Sequence, residues 1–344
     1  MAGDGMDRRH AIAALLAAGI SGWMSDGAWA ISLLPPAAFE PVLDKIEGAE
    51  GLATAPDGTL AFSCSNAAAG FLRPDGTVEY VGEAIATGGM AFDGQGRLIV
   101  ASVGALHGRE GPLRRIDPAT GKVETLVSEL EGRRLVASNC PVVARDGTIY
   151  CSHSGWSVGN IGTTLAEGFI YSVTPDGEAR IVVSGLRGAN GLCLDAGDRR
   201  LCAALTAVGR VAAWDIGPYG GLHEQGYVGP VLGDVVDDQK AGEIRALPGE
   251  ERGATGYCDG IAFDSAGTLY VTLPFANRIV TIDRHGRLAT LVHDPEGRRI
   301  DFPTNLAFGG PGLRDLYIVS RGAGAIVKAR MPYPGLPAAN WPLR

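Results

Sequence analysis

Five side-chain oxygen donors recur at one position of a repeated pattern in this 344-residue chain: Glu50, Asn139, Asn190, Asp259 and Asn305, with Gly88 filling the sixth place. Each opens a segment of the same form: EGLATAPDGTL, GGMAFDGQGRL, NCPVVARDGTI, NGLCLDAGDRRL, DGIAFDSAGTLY and NLAFGGPGLRDLY. Taken singly, an Asn or Asp before a strand is an ordinary turn or strand-end residue. Gathered at one register they are costly, because carboxylates crowded among apolar strands repel each other and lose hydration. A cation resolves that conflict. Two carboxylates plus amide oxygens, with no imidazole or thiolate at these positions, suit one hard divalent ion: calcium or magnesium, with manganese or zinc as poorer fits.

Further residues with chemical potential flank this set. If the third segment turns at Asp146, His153 falls opposite Asn139, where a neutral imidazole would accept a proton from water or a substrate hydroxyl. Trp156, Tyr257 and His107 are candidates for the wall of a substrate pocket, each with an ordinary packing or solvated-loop alternative. Cys140 and Cys258 together with His153 would make a softer, zinc-type set, but strand alternation turns both cysteines away from the ring.

The elements that position these residues follow from the repeat. Each segment reads as a hairpin, apolar alternation on both sides of a Gly- or Asp-containing turn. Between the hairpins lie further strand candidates such as 113–117, 169–173 and 278–283, giving about four strands per unit. Six such units predict an all-β, six-bladed β-propeller with four-stranded blades around a central metal-binding channel, beginning near Phe39. Helical periodicity is missing, and 51 glycines argue against long helices. Residues 217–256 read as an irregular insertion in or after the fourth blade. Residues 31–344 are expected to form a single propeller domain.

In a propeller the innermost strands all start at one mouth of the channel, so the six segment starts form a ring there. Glu50-Gly51, Asn139, Asn190-Gly191-Leu192 and Asp259-Gly260 resemble the marker set of the gluconolactonase, regucalcin and luciferin-regenerating-enzyme family, over about residues 45 to 330. The resemblance implies a propeller that binds one divalent metal, calcium foremost, through Glu50, Asn190 and Asp259. It places Asn139 in or beside that shell, implies lactone hydrolysis, and offers Asp259 as general base. This chain departs from the pattern at Cys140, at His153 and at Cys64, where the family often carries Asp.

The working function is therefore metal-dependent hydrolysis of a cyclic ester, an aldonolactone-like or other small lactone, with Asp259 or His153 as base and Asn139 beside them. His107, Cys140, Trp156, Tyr257 and Asn305 are the expected pocket residues. One alternative keeps the metal but runs an isomerase or lyase reaction, motivated by His153 and Cys140. The other is a non-catalytic ligand-binding propeller with a structural metal.

Composition narrows the partners. A net charge of −8 without a basic stripe argues against nucleic acid and leaves a small-molecule substrate. Arg8-Arg9, the apolar run 11–20 and Ala28-Trp29-Ala30 read as a twin-arginine-like export signal over residues 1–30, hence a periplasmic or secreted protein. That run is too short to span a bilayer, so no membrane role is expected. The six cysteines show no CxxC spacing and are expected as buried free thiols, although Cys193 and Cys202 flank one turn where a disulfide is geometrically possible. A monomer is expected from the family resemblance.

Overall fold

Short apolar runs such as Leu98–Ser102 and Leu269–Leu273 are buried at every residue, which strands packed between two neighbours require. Outer strands such as Val78–Val81 and Leu222–Val228 carry exposed positions instead. The alternation expected on both sides of each turn is therefore lost in the second strands, because both of their faces are covered. Asp starts most turns: Asp57, Asp75 and Asp146 each accept the N–H of a Thr two residues on (2.8–2.9 Å), and the intervening Gly58 sits at φ +90°.

The computed structural model describes residues 33–156, 160–162 and 165–342. The proposed export signal lies outside them. Six four-stranded antiparallel sheets form six blades of a propeller, with very little helix. Blades 1 to 5 span residues 52–81, 87–127, 138–186, 189–228 and 261–293. Blade 6 combines Pro303–Gly309, Asp315–Ser320 and Ala325–Arg330 with Glu40–Leu43, which pairs antiparallel with Ala325–Arg330 as the outermost strand. The ring is thus closed by joining a strand that precedes blade 1 to the last blade.

The fourth blade corrects one expectation. Leu222–Val228 is its outer strand, so the insertion is shorter than 217–256 and starts after Val228. It holds two short helices, Ala241–Arg245 and Gly249–Ala254, and the strand Gln239–Lys240. That strand pairs with Asn160–Gly162 from the third blade's loop, joining two loops at the ring end of the molecule. Tyr257, Phe275, Ile244 and Phe302 pack beneath the insertion.

The far end of the channel is closed by the C-terminal segment. Asn340 Nδ2 and Trp341 Nε1 both donate to Thr54 O (3.1 and 3.2 Å), and Leu336 N–H donates to Phe263 O (3.1 Å). Between this closure and the ring lies a cavity of about 170 Å³ walled by Leu52, Met90, Cys140, Leu192, Ile261 and Asn305 among others. Among the described residues no helix is long and apolar enough to cross a membrane. All six cysteines are free and buried; Cys193 and Cys202 are direct cross-strand partners.

Candidate active site

Successive ring positions touch one another around the axis. A Cβ on Gly51 would run into Gly88 O, one on Gly88 would come 3.0 Å from Asn139 O, one on Gly191 would run into Asp259 O, and one on Gly260 would lie 2.7 Å from Asn305 Cα. Thr304 Oγ1 donates to Glu50 O (2.8 Å) and completes the circle. Glycine follows Glu50, Asn190 and Asp259 because six strand ends converge here and leave no room for a side chain on the neighbouring position.

The strands bulge at this level. Register breaks fall between Thr87 and Met90, Ser138 and Pro141, Ala189 and Leu192, and Pro303 and Asn305. A bulge releases a residue from the ladder and re-aims it, which is how Asn139 and Asn190 leave the blade-packing pattern. Backbone N–H groups at this level are met by hydroxyls at or just past the end of each second strand: Ser63 Oγ accepts from Gly51, Ser152 Oγ from Cys140 and Thr272 Oγ1 from Gly260 (2.8–3.0 Å).

Two further hydroxyls orient the amides. Ser154 Oγ donates its proton to Ala189 O (2.8 Å) and therefore accepts from Asn139 Nδ2 (2.8 Å). Thr206 Oγ1 donates to Cys258 O (2.7 Å) and accepts from Asn190 Nδ2 (3.0 Å). Each hydroxyl has one proton and has spent it, so each Asn presents its nitrogen to the hydroxyl, and Asn190 also hydrogen-bonds the Asp259 carboxylate. Asn139 and Asn190 are 4% and 2% exposed, so these orientations are held by packing as well.

The two carboxylates differ. Asp259 is driven up to about 8 by burial, against a lowering hydrogen bond from Asn190. Glu50 is paired with the Arg321 guanidinium, which the sequence reading missed. Arg321 follows the second strand of the last repeat, where apolar pattern gives no cue.

His153 requires correction. It pairs with Ser138, and its ring turns from Asn139 to stack on Phe169 at 4.3 Å. Nε2 accepts from the N–H of Ala137 (3.0 Å) and Val136 (3.3 Å), which leaves the neutral ring's single proton on Nδ1, and burial pushes the imidazole down to about 4. Alternation explains the error: Ser152 and Ser154 face the fourth blade, so His153 faces the other way.

Cys140 and Tyr257, expected in the substrate pocket, are both buried in the structure. Cys140 lines the axial cavity below the ring, and burial raises its thiol to about 11, so it stays protonated at neutral pH. Tyr257 is 1% exposed, with its hydroxyl donating to Gln239 Oε1 (2.9 Å). Asn305 holds its own ring place, but its Oδ1 accepts Leu306 N–H (2.8 Å). His107 is exposed at the end of a 3-10 turn, and the Trp156 indole approaches Gly188, next to the ring strand of blade 4.

Among the described residues no group of three or more His, Cys, Asp or Glu could hold a metal, so the zinc-type cysteine set fails. A ligand set here would depend on amide oxygens. Glu50, Asn139, Asn190 and Asp259 offer that mixture of carboxylate and amide oxygens on adjoining strand ends, so these residues fit a hard divalent ion.

The SMP-30/gluconolactonase/LRE-like family model matches residues 49–322. Similar solved structures include a gluconolactonase from Xanthomonas campestris, at 22% identity and TM-score 0.63 over 85% of this chain and 87% of that one. A luciferin-regenerating enzyme shares 18% identity at TM-score 0.65, over 89% and 99% of the two chains. A calcium-binding regucalcin from Agrobacterium tumefaciens shares 16% at 0.65, over 91% and 99%. A search of curated proteins gives no significant match. The chain belongs to the SMP-30/gluconolactonase/LRE-like family.

Proposed function

We propose that this protein is a metal-dependent lactonase acting on small cyclic esters at the ring of oxygen donors. The observation that carries the reading is the pair of buried amides oriented by Ser154 and Thr206, with Asn190 also hydrogen-bonded to the half-buried Asp259. Glu50, Asn139, Asn190 and Asp259 would hold one divalent ion, calcium foremost. Bound there, such an ion supplies Lewis-acid polarisation of the lactone carbonyl.

The chain's own residues do the rest. Asp259, in its ionised form, accepts a proton from the attacking water. Asn139 and Asn190 are locked by their hydroxyl partners, so substrate finds the ring already arranged. The paired loop strands Asn160–Gly162 and Gln239–Lys240 roof part of the mouth and restrict which rings enter. Export through the 1–30 segment, and action as a monomer, belong to the same proposal on sequence cues alone.

The isomerase or lyase alternative was motivated by His153 and Cys140, and both now sit off the ring. The direct test is acid release from a lactone panel by the parent, Asp259→Asn and Glu50→Gln proteins, with product formed in ¹⁸O-labelled water. Label in the product, with turnover falling at least about 100-fold in Asp259→Asn at unchanged melting temperature, supports the proposal. No acid from any lactone, or equal turnover in the variants, rejects it.

A further inference from the structure

Arg321 brings a fixed positive charge to a ring otherwise built of oxygen donors. Its guanidinium pairs with Glu50 across the closure between the last repeat and the first. The turn that carries it is pinned. Arg321 N–H donates to Phe302 O (3.3 Å), Gly322 N–H to Asp301 O (2.9 Å), and Asp301 N–H to Ser320 Oγ (2.8 Å). A Cβ at Gly322 would meet the Asp301 carboxylate, so Asp301 packs directly against this turn. Arg321 is thus held at the ring by a rigid support.

The Glu50 and Arg321 side chains are 18% and 38% exposed, so the pair is partly desolvated yet reachable from the mouth. Glu50 has two claims on it: the arginine and any divalent ion bound by the ring. When its oxygens turn to such an ion, the guanidinium loses its partner, and a half-buried charge without a counter-ion is unfavourable. A neighbouring divalent charge repels it further. Its planar fork of donors then matches one incoming group above others, a carboxylate taken in two parallel hydrogen bonds.

We infer that Arg321 forms an anion-binding subsite beside the ring that selects lactones carrying a carboxylate, holding Glu50 until a divalent ion claims it and then receiving the substrate's carboxylate. The substrate half of this inference rests on the lactonase reading; the exchange of partners does not.

Calcium titrated into the cation-free protein by calorimetry tests the exchange. Arg321→Met should bind calcium about three- to tenfold tighter than the parent, since Glu50 no longer has a competing partner. Unchanged or weaker binding overturns the exchange. Cyclopentanecarboxylate and cyclopentanecarboxamide serve as inert probes. In the parent, calcium should tighten the carboxylate only, and the carboxylate should tighten calcium by the same factor. Coupling that persists undiminished in Arg321→Met would place the anion on the metal alone and overturn the subsite.

Arg321→Lys should restore part of the coupling, and it provides a second variant if the Met form folds poorly. With lactones as substrates, the preference for 5-oxotetrahydrofuran-2-carboxylate over γ-butyrolactone should fall roughly thirtyfold in Arg321→Met. Hydrolysis of both with that preference intact overturns the inference while leaving the lactonase reading standing. Coupling lost in the variant, with no lactone hydrolysed by the parent, supports the subsite and rejects the reaction.

Discussion

In the proposed site the orientation of Asn190 is set by Thr206, whose hydroxyl accepts from its Nδ2 and donates to Cys258 O. Thr206→Val keeps the shape but removes the hydroxyl, leaving Asn190 Nδ2 and Cys258 O each short of a partner. Stability should fall by about 1–3 kcal/mol, read by denaturant melts, and calcium affinity should fall with it because the amide is free to turn. Equal calcium affinity in the variant would show that the threonine does not orient the ligand. His153 carries a pH-dependent contribution to stability. Its folded value near 4 lies below the ordinary 6.5, so between those pH values the unfolded chain takes up a proton that the folded one refuses. The contribution is whole above pH 6.5 and lost as pH falls toward 4, worth about 3 kcal/mol in all. Parent and His153→Gln proteins melted at pH 7 and 4.5 should differ in slope by most of that amount; equal slopes refute it. The ring donors were readable from their register in the repeat, whereas Ser154, Thr206 and Arg321 were not. Hydroxyls and arginines are common near strand ends, and only their partners across the axis give them meaning.

At the scale of elements, the two loops that join through Asn160–Gly162 and Gln239–Lys240 come from different blades and sit over one end of the channel. The insertion is tied down by Tyr257, whose hydroxyl meets Gln239 Oε1 (2.9 Å) and accepts Val236 N–H (3.0 Å). Arg245 lies over Phe302 at 4.1 Å on the same support. Tyr257→Phe removes the hydroxyl bonds but keeps the ring. Amide exchange over residues 234–245 should quicken, and KM should rise several-fold with a smaller change in kcat, as expected for a loosened roof rather than damaged chemistry. A fall in kcat alone, with exchange unchanged, would count against this role. Sequence pattern exposed the hairpins because glycine and Asp-led turns recur. It failed at 217–256, because Leu222–Val228 is a mostly exposed outer strand with a Gly226 inside it, and so lacks the apolar run of an inner strand.

The whole molecule is held as a closed ring with a sealed base. Glu40–Leu43 completes blade 6, and Leu336–Trp341 shuts the far end of the axial cavity. Removing residues 336–344 deletes both hydrogen bonds to Thr54 O and exposes the cavity wall. The melting temperature should drop by about 5 °C or more, followed by calorimetry; an unchanged transition would mean that the tail contributes no closure. The sequence by itself determined the blade number, the strand-rich class and the register of the ring, since each repeat states its own turn and its own first residue. The tertiary structure alone decided which side of a strand His153 faces, which cation meets Glu50 and which hydroxyl turns each asparagine. Those outcomes depend on bulges that shift side chains out of simple alternation, and on contacts between residues as far apart as Glu50 and Arg321, for which a local pattern carries no information.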